Sequence, residues 1–420
     1  MVRSKAVSLI LVLALLFVCF CNLVGCSHRI ASVDLMAGIE PRASAGVSGT
    51  ASDGAKATAA DFAFRLYRAS YDGKNTLLSP LSVFVALAMT ANGANGNTKT
   101  QMESVLGMTV EQLNEFCAVC LNSLTGNDDV KLTLANSVWL RDTEQFAVKQ
   151  AFLQTNADVY RAGAFRAPFD KTTVKDVNGW VKDHTDGMID KIVDGFTNQD
   201  MMLLINALVF DAKWAMPYTL DTQVHTDDFH LENGTVKRVK FLSDTEFRYL
   251  SDGDRAVGFV KPYVGGRYAF AALLPAEGTP VADYVASLTG ETVISILKNA
   301  QNVPVKTEIP KFETQYEIVL NDVLSGLGMP DAFDPAAADF SGITESFPAF
   351  WIDEVLHKTY IEVGEKGTRA AAVTSVEGKA ATAPDENRPQ IVVLDRPFVY
   401  FIYDTETNLP LFIGTLNDPS

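Results

Sequence analysis

Five histidines (His28, His184, His225, His230 and His357) and a Cys117-x-x-Cys120 pair are where catalysis or metal binding would start in this 420-residue chain. Neither set completes a site. His225 and His230 are five positions apart, which suits neither one face of a helix nor one face of a strand, so no metal centre is expected from them. Cys117 and Cys120 lie in a helical-looking stretch, Glu111 to Leu124, with no second pair or nearby histidine. Two small helix residues or a local disulfide are the expected readings. His357 and one of many serines would make a triad on paper, but no Gly-x-Ser-x-Gly turn exposes a nucleophile. A phosphate loop, the dinucleotide-binding glycine pattern and His-Glu-x-x-His are also absent. The chain is not expected to be an enzyme, and its residues call for no cofactor and no metal.

The informative chemistry is of another kind. Thr368, Ala370, Ala372, Thr374, Val376 and Gly378 form one alternate set, small and uncharged. Arg369, Ala371, Val373, Ser375, Glu377 and Lys379 form the other, which carries every charge. In an extended strand successive side chains face opposite sides. A plain linker between two strands needs no such alternation. A segment that joins a sheet, small face inward and charged face in water, does.

The elements around this segment must supply that sheet. Helical spacing runs from Asp61 to Ser70, with ordered structure expected from about Thr58. A second helix is expected through about Asn92, with Ser79 as its N-cap and Pro80 in its first turn. Leu132–Leu140 reads as a strand and Val174–Val193 as a helix. Leu203–Trp214 is nearly continuous apolar sequence, as in a strand buried on both faces. A hairpin is expected over Phe259–Leu274 around Gly265-Gly266. Val303–Phe312, Ile352–Val363, Phe398–Tyr403 and Leu411–Leu416 are further strands, the last two joined by Thr405–Asn408. Helices crowd the first half and strands the second, which predicts an α+β fold.

Taken in order, these residues resemble the serpin family, over most of residues 58–420. Asn75, Ser79, Pro80 and Ser82 are similar to the start of that family's second helix. Asn206, Phe210 and Lys213-Trp214 are similar to its central strand and breach tryptophan. His357-Lys358 matches the strand leading to the hinge, and Glu365-Lys-Gly-Thr-x-Ala-Ala-Ala the hinge itself. Asp395-Arg-Pro-Phe398, Pro410-Leu-Phe-Ile-Gly414 and Pro419 match the terminal strands.

The resemblance implies helices packed on a large central β-sheet, two further sheets, and an exposed reactive loop over about 365–396. It implies a suicide inhibitor that binds a serine protease, in some members a cysteine protease, covalently, and a chain that is a monomer. The hinge would be Glu365, Gly367, Thr368, Ala370, Ala371 and Ala372. Ser82, Asn206 and His357 would form a polar latch where the sheet parts, near Ser79, with Trp214 at the point of first insertion. The alternative is that they are ordinary core residues. Counting from Glu365 as the family does places the reactive bond between Ala381 and Thr382, which suits elastase-like or subtilisin-like enzymes. The connection to Pro397 is longer than usual, so Lys379 and Arg388 stand as alternative reactive residues. Arg369 replaces a glutamate common in the family. The other functional class is a non-inhibitory member acting as a surface binding module.

The start of the chain reads as an address. Arg3 and Lys5 precede an apolar run, Ala6–Phe20, too short to span a membrane, so residues 1–25 read as a signal peptide. Leu23-Val-Gly-Cys26 resembles a bacterial lipobox, which implies lipid on Cys26 and a domain held outside the cytoplasm on a cell-surface or envelope membrane. Residues 26–57, rich in Ala, Ser and Gly, are expected to be the lipidated flexible tether, and residues 58–420 the folded domain. Hydrophobic residues make up 47% and charged residues 20%, which excludes a disordered or fibrous chain. The net charge of −16 makes nucleic acid a poor partner.

Overall fold

The computed structural model describes residues 32–42, 49–124, 129–143, 147–344, 350–368 and 389–419. Cys26, Ala370, Ala371, Ala372, Lys379, Ala381, Thr382 and Arg388 lie outside the described residues. The architecture is the expected α+β one, with helices packed on three sheets.

In chain order the strands are β1 (Val33–Asp34), β2 (Thr76–Leu78), β3 (Val130–Arg141), β4 (Gly163–Ala167), β5 (Met202–Lys213), β6 (Val224–His230), β7 (Val236–Glu246), β8 (Tyr249–Ser251) and β9 (Ala256–Pro262). They continue with β10 (Tyr268–Pro275), β11 (Val305–Pro310), β12 (Phe312–Val319), β13 (Glu354–Val363), β14 (Gly367–Thr368), β15 (Gln390–Val393), β16 (Phe398–Asp404) and β17 (Pro410–Leu416). The largest sheet has the order β1-β4-β3-β5-β14-β13-β12. A second runs β2-β17-β16-β10-β9-β8, and a third β15-β11-β7-β6.

Four helices precede β3: α1 (Asp53–Ser70), α2 (Pro80–Ala91), α3 (Gly96–Leu106) and α4 (Val110–Ser123). Next come α5 (Gln150–Thr155) and α6 (Lys171–His184). Every residue of α2 is buried. A helix apolar on all sides belongs in the middle of a core, and α2 lies behind β3 and β5. On the other face, Val177, Trp180 and Val181 of α6 share a buried cluster with Leu203, Ile205 and Ala207 of β5 and Leu356 of β13. Cys117 and Cys120 are buried free thiols on α4, which settles the choice in favour of helix residues over a disulfide.

Several elements depart from expectation. The helix expected to reach Val193 stops at His184, because Gly187 takes φ +73° and its N–H bonds back to the Lys182 carbonyl. The strand ending at Phe312 is two strands. Past Lys311 the chain leaves the four-stranded sheet, and β12 joins the largest one. The tether of 26–57 is not tether throughout. Ser52 caps α1, accepting from the Ala55 N–H, so the helix begins before Thr58. Residues 32–42 lie on the sheet edge, with Val33 and Asp34 opposite Arg166 and Phe165 of β4. Ser32 donates from N and Oγ to Asp176 on α6 (2.8 and 2.7 Å), and Leu35, Met36 and Ile39 pack on the core.

Candidate functional site

The middle of the largest sheet holds the site. β13 and β5 run parallel and pair from Glu354 opposite Leu203 to Lys358 opposite Ala207. Among the described residues no further rung joins these two strands directly. Higher up, β14 stands between them: Thr368 is opposite both Ala212 and Val363, antiparallel to each. The sheet is therefore joined below and parted above, with one short strand seated at the top of the parting.

A buried polar cluster marks the last joined rungs. His357 and Asn206 are register partners, and both are fully buried. The Ser79 N–H donates to His357 Nε2 at 3.0 Å, so the ring proton is on Nδ1, which donates to Asn206 Oδ1 at 2.6 Å. Asn206 in turn donates through Nδ2 to Ser82 Oγ (2.5 Å) and to Asn136 Oδ1 (2.7 Å). Both ring nitrogens are committed to a neutral imidazole, and burial depresses the His357 pKa to about 3.

The top of the parting is held by different forces. Gly367 passes so close to β5 that a Cβ there would stand 2.0 Å from the Ala212 carbonyl oxygen; only glycine fits. Thr368 is buried, and its hydroxyl meets the Tyr263 hydroxyl at 2.5 Å. Tyr263 stacks on Trp214 with centroids 4.5 Å apart. Trp214 donates from Nε1 to the Gly364 carbonyl and from its backbone N to the Lys366 carbonyl, both at 2.9 Å. Lys311 reaches Glu365 at 2.7 Å. Partial burial opposes ionisation of Glu365, but the bond and charge of Lys311 outweigh it and hold the carboxyl below the usual range. Beneath Trp214, the buried Lys261 pairs with Glu246 at 2.6 Å and lies 4.4 Å from the Tyr218 ring centre. Burial pushes the Glu246 carboxyl up against the pull of Lys261.

A profile of the family described as Serpin (serine protease inhibitor) matches residues 57–419. The chain belongs to the serpin family. Serpins are protease inhibitors and not enzymes. The crystal structure of the thermophilic serpin tengpin in its native state superimposes with a TM-score of 0.87 at 42% identity, over 92% of this chain and 99% of that one. Tengpin in its latent state gives 0.77 at 43% identity, over 88% and 98%. The plasma serine protease inhibitor of Bos taurus is 30% identical over 86% of this chain and 90% of its own. An uncharacterized serpin-like protein of Thermococcus kodakarensis is 31% identical over 85% and 84%.

Of the residues expected to act, the structure brings Ser79, Ser82, Asn206 and His357 into one network and Glu365, Gly367, Thr368 and Trp214 into another. One role differs. Ser79 caps nothing with its side chain, and its buried Oγ has no hydrogen-bond partner among the described residues. Its backbone N–H is what the site uses. Asn136, Tyr263, Lys311 and the Lys261–Glu246 pair were not anticipated. Their partners lie on other segments of the chain, so no local pattern marks them.

His357 gives this serpin a pH signature. Its contribution to stability is complete above about pH 6.5, where the unfolded chain also leaves the ring neutral. Below that the unfolded chain gains a proton and the buried ring does not until about pH 3. Stability from this residue then falls by about 1.4 kcal/mol per pH unit. Burial raises the Asp353 pKa to about 6, which works in the opposite direction between about pH 4 and pH 6. The residue-specific quantity is therefore a difference: the gap in unfolding midpoint between the wild type and His357→Asn should narrow from pH 7 to pH 4.5. A gap independent of pH contradicts the neutral-ring assignment.

Proposed function

We propose that this serpin is a suicide-substrate inhibitor of serine proteases that prefer small residues, with Ala381–Thr382 as the bond attacked. The observation that carries the proposal is Thr368 seated between β5 and β13 above the last rung that joins them. The protease serine attacks the Ala381 carbonyl, the Thr382 amine departs, and Ala381 stays esterified to the enzyme. The freed loop then continues β14 down the parting, taking the acylated enzyme with it.

If the strand is extended down the parting, the register of Thr368 fixes where each later residue would fall in the inserted form. Ala370 falls beside Phe210 and Ile361, Ala372 beside Leu208 and Thr359, and Thr374 beside Asn206 and His357. The inward set is small where its neighbours are buried and polar where the latch must open. On insertion the Thr374 hydroxyl would arrive where the His357–Asn206 bond has to open. On the outward side Arg369 falls between Asp211 and Glu362, an acidic pair that suits it. Lower down, Val373 and Ser375 fall beside Ala207 and Ile205, beneath α6, so not all of the outward face meets water and α6 must yield as the strand passes.

Insertion replaces an interrupted parallel pairing by two antiparallel ladders. Each new hydrogen bond contributes roughly 0.5–1.5 kcal/mol net, and burial of small apolar side chains adds to it. Over a full strand the sum rivals the ordinary stability of a domain, about 5–15 kcal/mol. The uncleaved form is then held by a kinetic barrier. The solution of one relative, tengpin, in both a native and a latent state supports two states for this fold. Leu23 to Cys26 support lipid attachment and a position outside the cytoplasm.

Incubation with an elastase-like protease should give an SDS-stable adduct mapped to Ala381. Protein nicked at the same bond should unfold tens of degrees higher. An adduct at Lys379 or Arg388 would relocate the bond, whereas an unchanged midpoint would remove insertion from the account.

Thr368→Arg buries a charge between Ala212 and Val363 at a cost of several kcal/mol. The folded mutant should turn from inhibitor to substrate, seen as cleaved loop without adduct. Arg369→Glu places three acids together near the surface and should raise the stoichiometry of inhibition only modestly, in a salt-dependent way. Equal damage from both changes would contradict the register.

Cys26→Ala should leave the precursor unprocessed or release the protein from membranes. Normal processing and fractionation of that variant would end the lipid-anchor reading.

A further inference from the structure

The four-stranded sheet carries a cluster that protease inhibition does not use. His225 and Asp227 stand two residues apart on β6, so strand alternation turns both to one face. Glu308 of β11 belongs to the same face. Its register partner on the intervening β7 is Ser243, two residues from Phe241, which is the partner of His225. Ser243 is short, and the Glu308 carboxylate passes over it to within 3.2 Å of His225 Nε2. The imidazole lies nearly parallel to the Phe241 ring, 23° between planes, which fixes its orientation. One nitrogen or oxygen from each of the three residues lies within 4.8 Å of the other two. Asp227 is exposed, and His225 and Glu308 are partly so, which leaves the cluster open to an ion from water.

We propose that His225, Asp227 and Glu308 form a binding site for a divalent transition-metal cation, with Zn2+ as its probe. One imidazole and two carboxylates are a ligand set such ions accept, and the two negative charges balance the ion's own. Metal–ligand bonds of about 2.0–2.2 Å need the three atoms to close to roughly 3–4 Å of one another, which small rotations of surface side chains provide. The nitrogen ligand disfavours Mg2+ and Ca2+, which take all-oxygen shells. The chain's net charge of −16 raises the local cation concentration. Three protein ligands leave positions for water, as in an open site. The pair His225/His230 hides this arrangement in the sequence, because the third ligand lies on a strand far along the chain.

The bound ion straps β6 to β11 across β7. Glu308 is also the register partner of Val393 on β15, so the expected loop span of about 365–396 ends in a strand of this sheet. Occupancy therefore stabilises the sheet that anchors the far end of that loop.

The test uses the purified protein, stripped with a chelator and titrated with zinc, cobalt or magnesium chloride by calorimetry and thermal unfolding. We expect one zinc equivalent, a rise in unfolding temperature with zinc but not magnesium, and visible absorption from bound Co2+. His225→Ala, Asp227→Asn and Glu308→Gln should each weaken zinc binding by about tenfold or more. His230→Ala, on the same strand but the opposite face, should leave it unchanged. Asp227→Asn alters an exposed side chain, so its metal-free unfolding temperature should match the wild type and separate lost ligation from lost folding. Zinc binding that survives His225→Ala, that His230→Ala weakens equally, or that is absent at sub-millimolar zinc overturns the site.

Discussion

Two parallel strands that meet only over part of their length set the terms for the rest of this molecule. β5 and β13 are joined as far as Ala207 and Lys358, and the next residues to be bridged are Ala212 and Val363, through Thr368. Where the two strands part, each leaves an unpaired edge, and an antiparallel strand placed between them satisfies both. The fold thus contains a place shaped for a strand, and the chain segment beyond Thr368 has the alternation to fill it.

The two ends of the parting are controlled by different physics. Below, a neutral histidine with both nitrogens bonded couples β13 to β5 and, through Ser79 and Ser82, to the buried helix α2. Breaking that network without replacing its partners leaves buried polar groups unsatisfied, at about 1–3 kcal/mol each. The barrier to premature opening is therefore local and polar. Above, stacking of Tyr263 on Trp214, the Lys311–Glu365 pair and the tight passage of Gly367 hold the first inserted residue in place. The two sets share no residue, so the top can be engaged while the latch stays shut.

Much of this was legible in the chain itself. β5, β16 and β17 are apolar runs, and their limits fall within a residue or so of expectation. Gly367, Thr368 and the latch residues were legible through their resemblance to a family pattern, and alternation suggested that the segment from Thr368 onward could join a sheet. The parts that were not legible depend on contacts between distant segments. β12 alternates Phe312, Thr314, Tyr316 and Ile318 with polar residues, a readable strand, but the crossing to another sheet after Lys311 has no local mark. The segment 32–42 looks like linker because its partners, Asp176 and the edge of β4, are supplied by elements far along the chain. Lys261 is a lone cation in an apolar strand, explicable only by Glu246 and the rings above it.

The most direct measurement is a crystal structure of the protein cleaved between Ala381 and Thr382. The cleaved protein should show a continuous strand from Thr368 running between β5 and β13, antiparallel to both, with Thr374 beside Asn206 and His357 and the bond between those two residues gone. A cleaved structure in which β13 and β5 still pair only from Glu354 to Lys358, with His357 still donating to Asn206, would contradict that insertion.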